Sequence, residues 1–159
     1  MTATLTLMCG LPRAGKSTWI KKNKKDAIIV SPDDIRREIF GHQFYQPANK
    51  FVFALSEAMV SLLLKQGKNV IVDATHITKG LRSSWYPVVK DIDVKTNIVW
   101  VYIDESPTRN LSFCIERSLK SVENERVPES ALQRMASAFE PPDLINDGWV
   151  NKIITWKNV

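Results

Sequence analysis

The sequence predicts an α/β fold of three layers, in which a mainly parallel sheet of about five strands lies between helices. Two observations predict this class. Short apolar runs rich in β-branched residues alternate along the chain with helical patterns of a dozen or more residues. Strands joined by connections of that length are parallel, and their crossovers are right-handed. Because 159 residues suffice for one core, we expect residues 1–159 to form a single domain.

The predicted elements follow one another without an internal repeat or a low-complexity linker. Strands are predicted at residues 4–9, 26–30, 69–73, 96–103 and 149–156. Helices are predicted at residues 16–22, 32–40, 47–67, 79–90, 107–120 and 129–139. In the third helix, Phe51, Leu55, Met59 and Leu62 recur at steps of three and four residues, which predicts its apolar face.

The composition is that of an ordinary globular protein. The chain has 44% hydrophobic and 25% charged residues and a net charge of +5, which argues against disorder and suits a polyanionic partner. Cys9 and Cys114 have neither a disulfide framework nor metal-ligand spacing. The first nine residues read as a strand rather than a signal peptide, so we expect a cytoplasmic protein. No uninterrupted apolar run approaches the roughly 18 residues of a membrane span, so no membrane partner is expected.

Residues 10–17 read G-L-P-R-A-G-K-S and fit the phosphate-binding pattern G-x-x-x-x-G-K-S. This P-loop follows a predicted strand and opens a predicted helix, which is the context the motif requires. Gly10 and Gly15 let the backbone curl so that successive N–H groups face the phosphates. Lys16 neutralises phosphate oxygens, and the Ser17 hydroxyl is a ligand for Mg²⁺. The sequence therefore predicts a site for a nucleoside triphosphate with Mg²⁺.

Acidic residues follow two further predicted strands. Ser31 is the expected N-cap of the second helix, and Asp33 and Asp34 lie in its first turn. Either carboxylate, with Asp33 preferred, can act as the base for an attacking hydroxyl, although helix-dipole stabilisation alone also explains acidic residues there. Arg36 lies three residues after Asp33 on the same helix face and can hold a phosphate of an acceptor, or form a surface ion pair.

Asp73 ends the predicted strand 69–73, where an acidic residue commonly holds Mg²⁺ directly or through water. A carboxylate that merely ends a buried strand is the alternative. Because ligands of parallel α/β sheets bind outside the carboxyl ends of the strands, the P-loop, Asp33 and Asp73 are expected to meet in one crevice.

A basic segment, residues 109–128, is predicted to form a small lid over the triphosphate. It contains Arg109, Arg117 and Arg126, with Lys120 between the last two. Arginines in such a lid meet the charge that develops on a transferring phosphoryl group. Solvated surface charge is the alternative for at least one of them.

These motifs together resemble the polynucleotide 5′-kinase family, as in the kinase half of phage end-healing enzymes. The resemblance rests on residues 10–19, 31–36 (S-P-D-D-I-R), 72–75 (V-D-A-T), 109–110 and 126–128. It implies a P-loop kinase fold and ATP-dependent phosphorylation of a DNA or RNA 5′-hydroxyl. The residues that it assigns to ATP and Mg²⁺ are Gly10, Leu11, Pro12, Arg13, Ala14, Gly15, Lys16, Ser17, Thr18 and Arg109, with Asp73 beside the metal.

The resemblance further implies that Asp33 activates the 5′-hydroxyl and that Arg36 grips the 3′-phosphate of the acceptor. The segment between Asn110 and Val127 is longer than in the phage enzyme, so the catalytic lid arginine is Arg117 or Arg126. Phe44 and Tyr45 either stack on terminal bases or form a packed plug over the long helix. Two other readings stay open: a kinase of a small alcohol, such as a nucleoside or a sugar nucleotide, and an ATP-binding module without turnover.

Overall fold

A computed structural model describes residues 2–42 and 45–158 of the chain. Five strands form one sheet in the order β2-β3-β1-β4-β5, and every pairing in it is parallel. The strands are β1 (Ala3–Cys9), β2 (Ile28–Val30), β3 (Val70–Val72), β4 (Val94–Tyr102) and β5 (Lys152–Lys157). The predicted fold class and strand number are thus confirmed.

Helices cover both faces of this sheet. They are α1 (Lys16–Asn23), α2 (Pro32–Phe40), α3 (Asn49–Lys65), α4 (Lys79–Ser83), α5 (Tyr86–Val89), α6 (Pro107–Leu119) and α7 (Glu129–Ala138), with 3-10 turns at Gln46–Ala48 and Glu123–Glu125. Leu5 and Leu7 of β1 face one core, which includes Val60 of α3. Met8 faces the other, which includes Leu132 of α7. Because neighbouring β1 side chains point to opposite sides, the domain has three layers.

The helix predicted at residues 79–90 is wrong as a single element, because the structure divides it into α4 and α5. Pro87 lies in the first turn of α5. Its ring nitrogen carries no hydrogen to donate to the carbonyl of Ser83, so a continuous helix would lose that bond. The chain bends through Ser84 and Trp85 instead, and Trp85 is buried.

The predicted apolar face of α3 is also partly wrong. The fully buried positions are Val52, Ser56, Val60 and Leu64, whereas Phe51 and Leu62 are exposed. Since apolar residues surround most of this helix, a periodic pattern alone does not fix which stripe meets the sheet.

The run Gln46–Lys65 is the one helix among the described residues that is long and apolar enough to cross a membrane, and its most apolar 18-residue window has a mean hydropathy of 1.2. This differs from the expectation drawn from uninterrupted apolar runs. The same helix packs a row of side chains against the sheet, and 28% of that window is buried.

A buried polar network ties the carboxyl ends of β1 and β3 to the segment before β5. The guanidinium of Arg82 forms an ion pair with Asp147 at 2.9 Å, and both side chains are fully buried. Arg82 also donates to the His76 carbonyl at 2.9 Å. The His76 ring lies between the Met8 carbonyl, 2.6 Å from Nδ1, and the Trp85 indole, which donates to Nε2 at 3.0 Å. Because an indole nitrogen can only donate, His76 is neutral with its proton on Nδ1.

The network makes stability depend on pH through His76. Burial lowers its pKa to about 4, and the positive charges of Arg82 and Lys16 act in the same direction, while the bond to Met8 opposes them. An unfolded histidine titrates near pH 6.5. Between about pH 6.5 and pH 4 the unfolded chain therefore binds more protons than the folded chain, so acidification favours unfolding.

We expect the free energy of unfolding to fall by on the order of 3 kcal/mol as the pH is lowered from about 6.5 to about 4. Urea denaturation at a series of pH values measures this. His76→Gln is expected to lower stability at pH 7 and to flatten the decline. Equal slopes for His76→Gln and the wild type would contradict the assignment.

Candidate active site

The P-loop connects β1 to α1 in a conformation that requires glycine. Gly10 follows β1 and donates its N–H to the Thr75 carbonyl at 2.9 Å, which joins the loop to the end of β3. Gly15 precedes α1 with a φ of 114°, a region that side chains with a Cβ rarely adopt. The Asn158 side chain lies directly over Gly15 and donates to the Ala14 carbonyl at 3.1 Å.

Lys16 is buried at the centre of this loop. Its Nζ donates to the carbonyls of Gly10 at 2.9 Å and Leu11 at 2.8 Å. Burial lowers the pKa of Lys16, and the carboxylate of Asp73 raises it in part. The curled backbone beside Lys16 and the N-terminus of α1 both attract anions, so this arrangement suits the phosphates of a nucleotide.

Three carboxylates line the crevice together with Lys16, those of Asp33, Asp34 and Asp73. Asp73 directly follows β3, and its N–H donates to the Val30 carbonyl of β2 at 2.9 Å. Burial raises the pKa of Asp73, Lys16 lowers it, and the nearby Asp34 and Asp33 raise it. The expected convergence of the P-loop with the acidic residues is therefore observed.

The same side chains can form a Mg²⁺ site only together with the phosphate oxygens of a nucleotide. Among residues 2–42 and 45–158, no group of three or more His, Cys, Asp or Glu side chains could hold a metal ion. Mg²⁺ is commonly bound through one or two carboxylates together with substrate phosphates. Ser17 and Asp73 both line the crevice, so they can supply the protein oxygens of such a site.

The first turn of α2 places Asp33 and Arg36. The Ser31 hydroxyl caps the helix by accepting from the Asp34 N–H at 3.2 Å, and Gly41 ends it with a φ of 79°, as predicted. Asp33 and Arg36 form an ion pair at 2.7 Å in which the arginine side chain is 7% exposed.

Arg36 is held from its other side by residues that the sequence analysis missed. Its Nη2 donates to Asn49 Oδ1 at 2.8 Å, and Asn49 Nδ2 donates to Gln46 Oε1 at 2.8 Å. Gln46, Asn49 and Phe53 all line the crevice. A polar Q-P-A-N stretch before an apolar helix was the available signal. Its meaning depends on α3 packing beside α2.

The basic segment contacts the P-loop through Arg117 and not through the other two arginines. Arg117 lines the crevice and donates to the Arg13 carbonyl at 3.4 Å. Arg13 in turn donates to the Glu125 carbonyl at 2.8 Å. Arg126 is exposed and donates to the Ser121 carbonyl at 3.0 Å, whereas Arg109 pairs with Asp104 at the surface. Neither of these two lines the crevice.

Together these parts enclose one crevice of about 650 Å³, a size usual for small-molecule and cofactor sites. One wall carries the phosphate-binding loop and the other carries Asp33 with Arg36. The remaining lining side chains include Thr18, Asp34, Arg37, Val127 and Met135.

A family model described as an AAA domain matches residues 5–142. The chain belongs to the AAA domain family. This assigns it to the P-loop nucleotide-binding proteins, and the geometry of residues 10–17 agrees with that assignment. A search of curated proteins finds no match.

Solved structures place this AAA domain among P-loop kinase-like folds. A fungal RNA kinase aligns with 100% of this chain and 76% of its own, at 14% identity and a TM-score of 0.72. A chain of the Pnkp1/Rnl/Hen1 RNA repair complex aligns over 86% of this chain at 21% identity and a TM-score of 0.67. The AAA domain spans only 44% of that longer chain.

A third structure carries a nucleotide analogue. Kti12 from Chaetomium thermophilum, in complex with ADP-AlF3, aligns with 96% of this chain and 88% of its own, at 17% identity and a TM-score of 0.67. At these identities the likeness is one of fold. It agrees with the P-loop kinase fold that the sequence motifs imply.

We expect Gly15→Ala to weaken binding of a non-hydrolysable ATP analogue by at least about tenfold, because the positive φ is strained for alanine and Asn158 occupies the space of its methyl group. Isothermal titration calorimetry measures the affinity. Gly80→Ala is the matched control, since an added Cβ there would lie 3.9 Å from the Thr78 hydroxyl, an ordinary van der Waals contact. Unchanged affinity in Gly15→Ala would contradict the site.

Proposed function

We propose that this AAA domain is an ATP-dependent kinase that transfers the γ-phosphate to a 5′-hydroxyl of DNA or RNA. The observation that carries the proposal is the Asp33–Arg36 pair, which faces Lys16 across one crevice. Phosphoryl transfer to an alcohol that carries a phosphate needs a base for the hydroxyl and a cation for that phosphate, both opposite a phosphate-binding loop. Asp33 and Arg36 have these positions. The fold shared with the fungal RNA kinase supports the same class of acceptor.

ATP with Mg²⁺ would supply the phosphoryl group and neutralise part of its charge. On this proposal the P-loop N–H groups and Lys16 hold the β- and γ-phosphates, while Ser17 and Asp73 hold the metal. Lys16 reaches them by exchanging its bonds to the Gly10 and Leu11 carbonyls for bonds to phosphate oxygens. The exchange is favourable because an anionic oxygen accepts a stronger bond than a neutral carbonyl.

Asp33 acts on the acceptor. Its carboxylate accepts the proton of the 5′-hydroxyl, whose oxygen then forms a bond to the γ-phosphorus while the bond to the β–γ bridging oxygen breaks and ADP leaves. The Asp33 side chain is 61% exposed, so an acceptor can reach it. Arg36 fixes the carboxylate on one side and is itself fixed by Asn49, which orients the base before the acceptor binds.

Arg36 also gives the crevice a charge for the acceptor. On this proposal its guanidinium contacts the phosphate on the 3′ side of the terminal nucleoside, next to the amides of Asn49 and Gln46. A nucleoside phosphate is thereby favoured over an uncharged alcohol. This separates a nucleic-acid end from a simple sugar.

Incubation with γ-labelled ATP and a 5′-hydroxyl oligonucleotide should label the oligonucleotide, and a 3′-phosphate on a nucleoside acceptor should lower its KM. Asp33→Asn is expected to lower kcat by about 10²- to 10⁴-fold with little change in ATP affinity. Asp34→Asn tests the alternative carboxylate and should lower kcat far less, because Asp34 pairs with Arg37 instead of Arg36.

Two outcomes would refute this function. If the label moves only to a small alcohol, the acceptor is that small molecule and not a nucleic-acid 5′-hydroxyl. Full transfer activity of Asp33→Asn would remove Asp33 from the reaction. Wild-type protein that binds ATP but transfers label to no acceptor would favour a nucleotide-binding module without phosphoryl transfer.

Arg117 is the lid arginine that we expect to act on the transferring phosphoryl group. Arg117→Ala should lower kcat by about 10²-fold or more, since it removes a positive charge from the transition state. Arg126→Ala and Arg109→Ala should change kcat far less, because both side chains lie outside the crevice lining. Steady-state kinetics of the three variants decide between them, and a greater loss in Arg126→Ala would reverse the assignment.

A further inference from the structure

Three aromatic side chains form a cluster on the surface where α2 ends and α3 begins. Phe40, Tyr45 and Phe51 are 41%, 46% and 53% exposed, respectively. The Phe40 ring lies 5.7 Å from that of Tyr45 and 5.9 Å from that of Phe51, measured between centroids. We call these residues the aromatic cluster. Large rings that touch one another and remain half exposed offer stacking surface to a ligand.

The aromatic cluster continues the wall of the crevice along α2. Residues 33, 36, 37 and 40 follow the spacing of one helix face, and the first three line the crevice. At 1.5 Å per residue, Phe40 lies about 10 Å along the helix from Asp33. A strand whose 5′ end reaches Asp33 and whose next nucleotides follow α2 would pass over Phe40 beyond its first nucleotide.

On the α3 side, Tyr45 directly precedes the crevice residue Gln46, and Phe51 joins the cluster through its contact with Phe40. Phe53 lines the crevice itself, is 41% exposed, and lies four residues after Asn49 on the same helix face. Aromatic side chains therefore occur both inside the crevice and in the outer cluster.

We propose that the aromatic cluster binds a single-stranded nucleic acid, stacking on the bases that follow the 5′-terminal nucleotide, while Phe53 meets the terminal base. This inference rests on the proposed function, and it names the acceptor as an unpaired strand of several nucleotides. Exposed rings stack on any base, whereas bases within a duplex have no free face to offer.

Charge around the cluster favours this ligand over an apolar protein surface. Arg37, which pairs with Asp34, is half exposed on the face that joins Asp33 to Phe40, and Lys50 is exposed beside Phe51. The first turn of α3 contains no acidic residue. An apolar protein partner would have to desolvate Lys50 and the Arg37–Asp34 pair, whereas a phosphate backbone pairs with Lys50. Tyr45 was expected to stack on bases or to pack as a plug, and it does contact Phe40; Phe44 lies outside the described residues.

The test uses a 3′-labelled 5′-hydroxyl heptanucleotide and a nucleoside 3′-monophosphate. Fluorescence anisotropy measures the Kd of the heptanucleotide, and phosphate transfer measures the KM of both acceptors. In Phe40→Ala/Phe51→Ala, we expect the Kd and the ratio of heptanucleotide KM to mononucleotide KM to rise about 5- to 150-fold, since stacking contributes about 1–3 kcal/mol per base. Phe113→Ala is the matched control, because Phe113 is 41% exposed on α6.

A second variant separates stacking from folding. Phe40→Leu/Phe51→Leu keeps apolar packing without rings, and it should raise the Kd while its thermal unfolding midpoint stays near that of the wild type. An unchanged Kd and KM ratio in both double variants would overturn the inference and leave the cluster as a surface for another partner. Wild-type protein that neither binds nor labels the heptanucleotide would overturn it together with the proposed function.

The two proposals can also fail separately. Binding that is weakened by the cluster substitutions, in a protein that phosphorylates no 5′-hydroxyl, would refute the proposed function and keep the strand site. Efficient labelling of the heptanucleotide with no effect of the cluster substitutions would keep the function and refute the strand site.

Discussion

The junction between the carboxyl ends of β1 and β3 places the phosphate-binding loop and Asp73 in one frame, on which the crevice depends. The Gly10 N–H donates to the Thr75 carbonyl, and the ring of His76 bonds to the Met8 carbonyl. Arg82 donates to the His76 carbonyl in the same turn. The P-loop therefore starts from a backbone that cannot move independently of β3, and β3 is the strand that delivers Asp73. A phosphate site and an acidic residue are thus placed by one set of hydrogen bonds.

The crevice balances its charges before any ligand enters. Lys16 lies within the field of Asp73 and Asp33, and each acidic residue at the start of α2 has its own arginine. A buried cation is tolerated because carbonyls and a carboxylate surround it. The metal cancels only part of the charge of a triphosphate, so their joint binding still brings net negative charge into the crevice. An acceptor with a phosphate can then be drawn by Arg36.

The sequence allowed the phosphate site to be predicted well, because a P-loop dictates its own backbone through glycine positions and a helix start. Ser31 and Gly41 were equally readable, since caps are local features. Phe51 and Asn49 were not, because their roles depend on how α3 rotates against the sheet and on its packing beside α2. The ambiguity between Arg117 and Arg126 had the same origin: Arg117 meets the Arg13 carbonyl across 104 residues of chain, and no local pattern encodes that distance.

The contact between Asn158 and the P-loop constrains the order in which the site forms during synthesis. The Ala14 carbonyl of the P-loop accepts its bond from Asn158, which is 144 residues later in the chain. During synthesis the side chain that covers Gly15 is translated after the P-loop and after the helices and strands that the structure describes. A nascent chain would thus contain residues 10–17 before Asn158 can cover Gly15. The phosphate-binding loop would reach its final contacts only once β5 has joined the sheet.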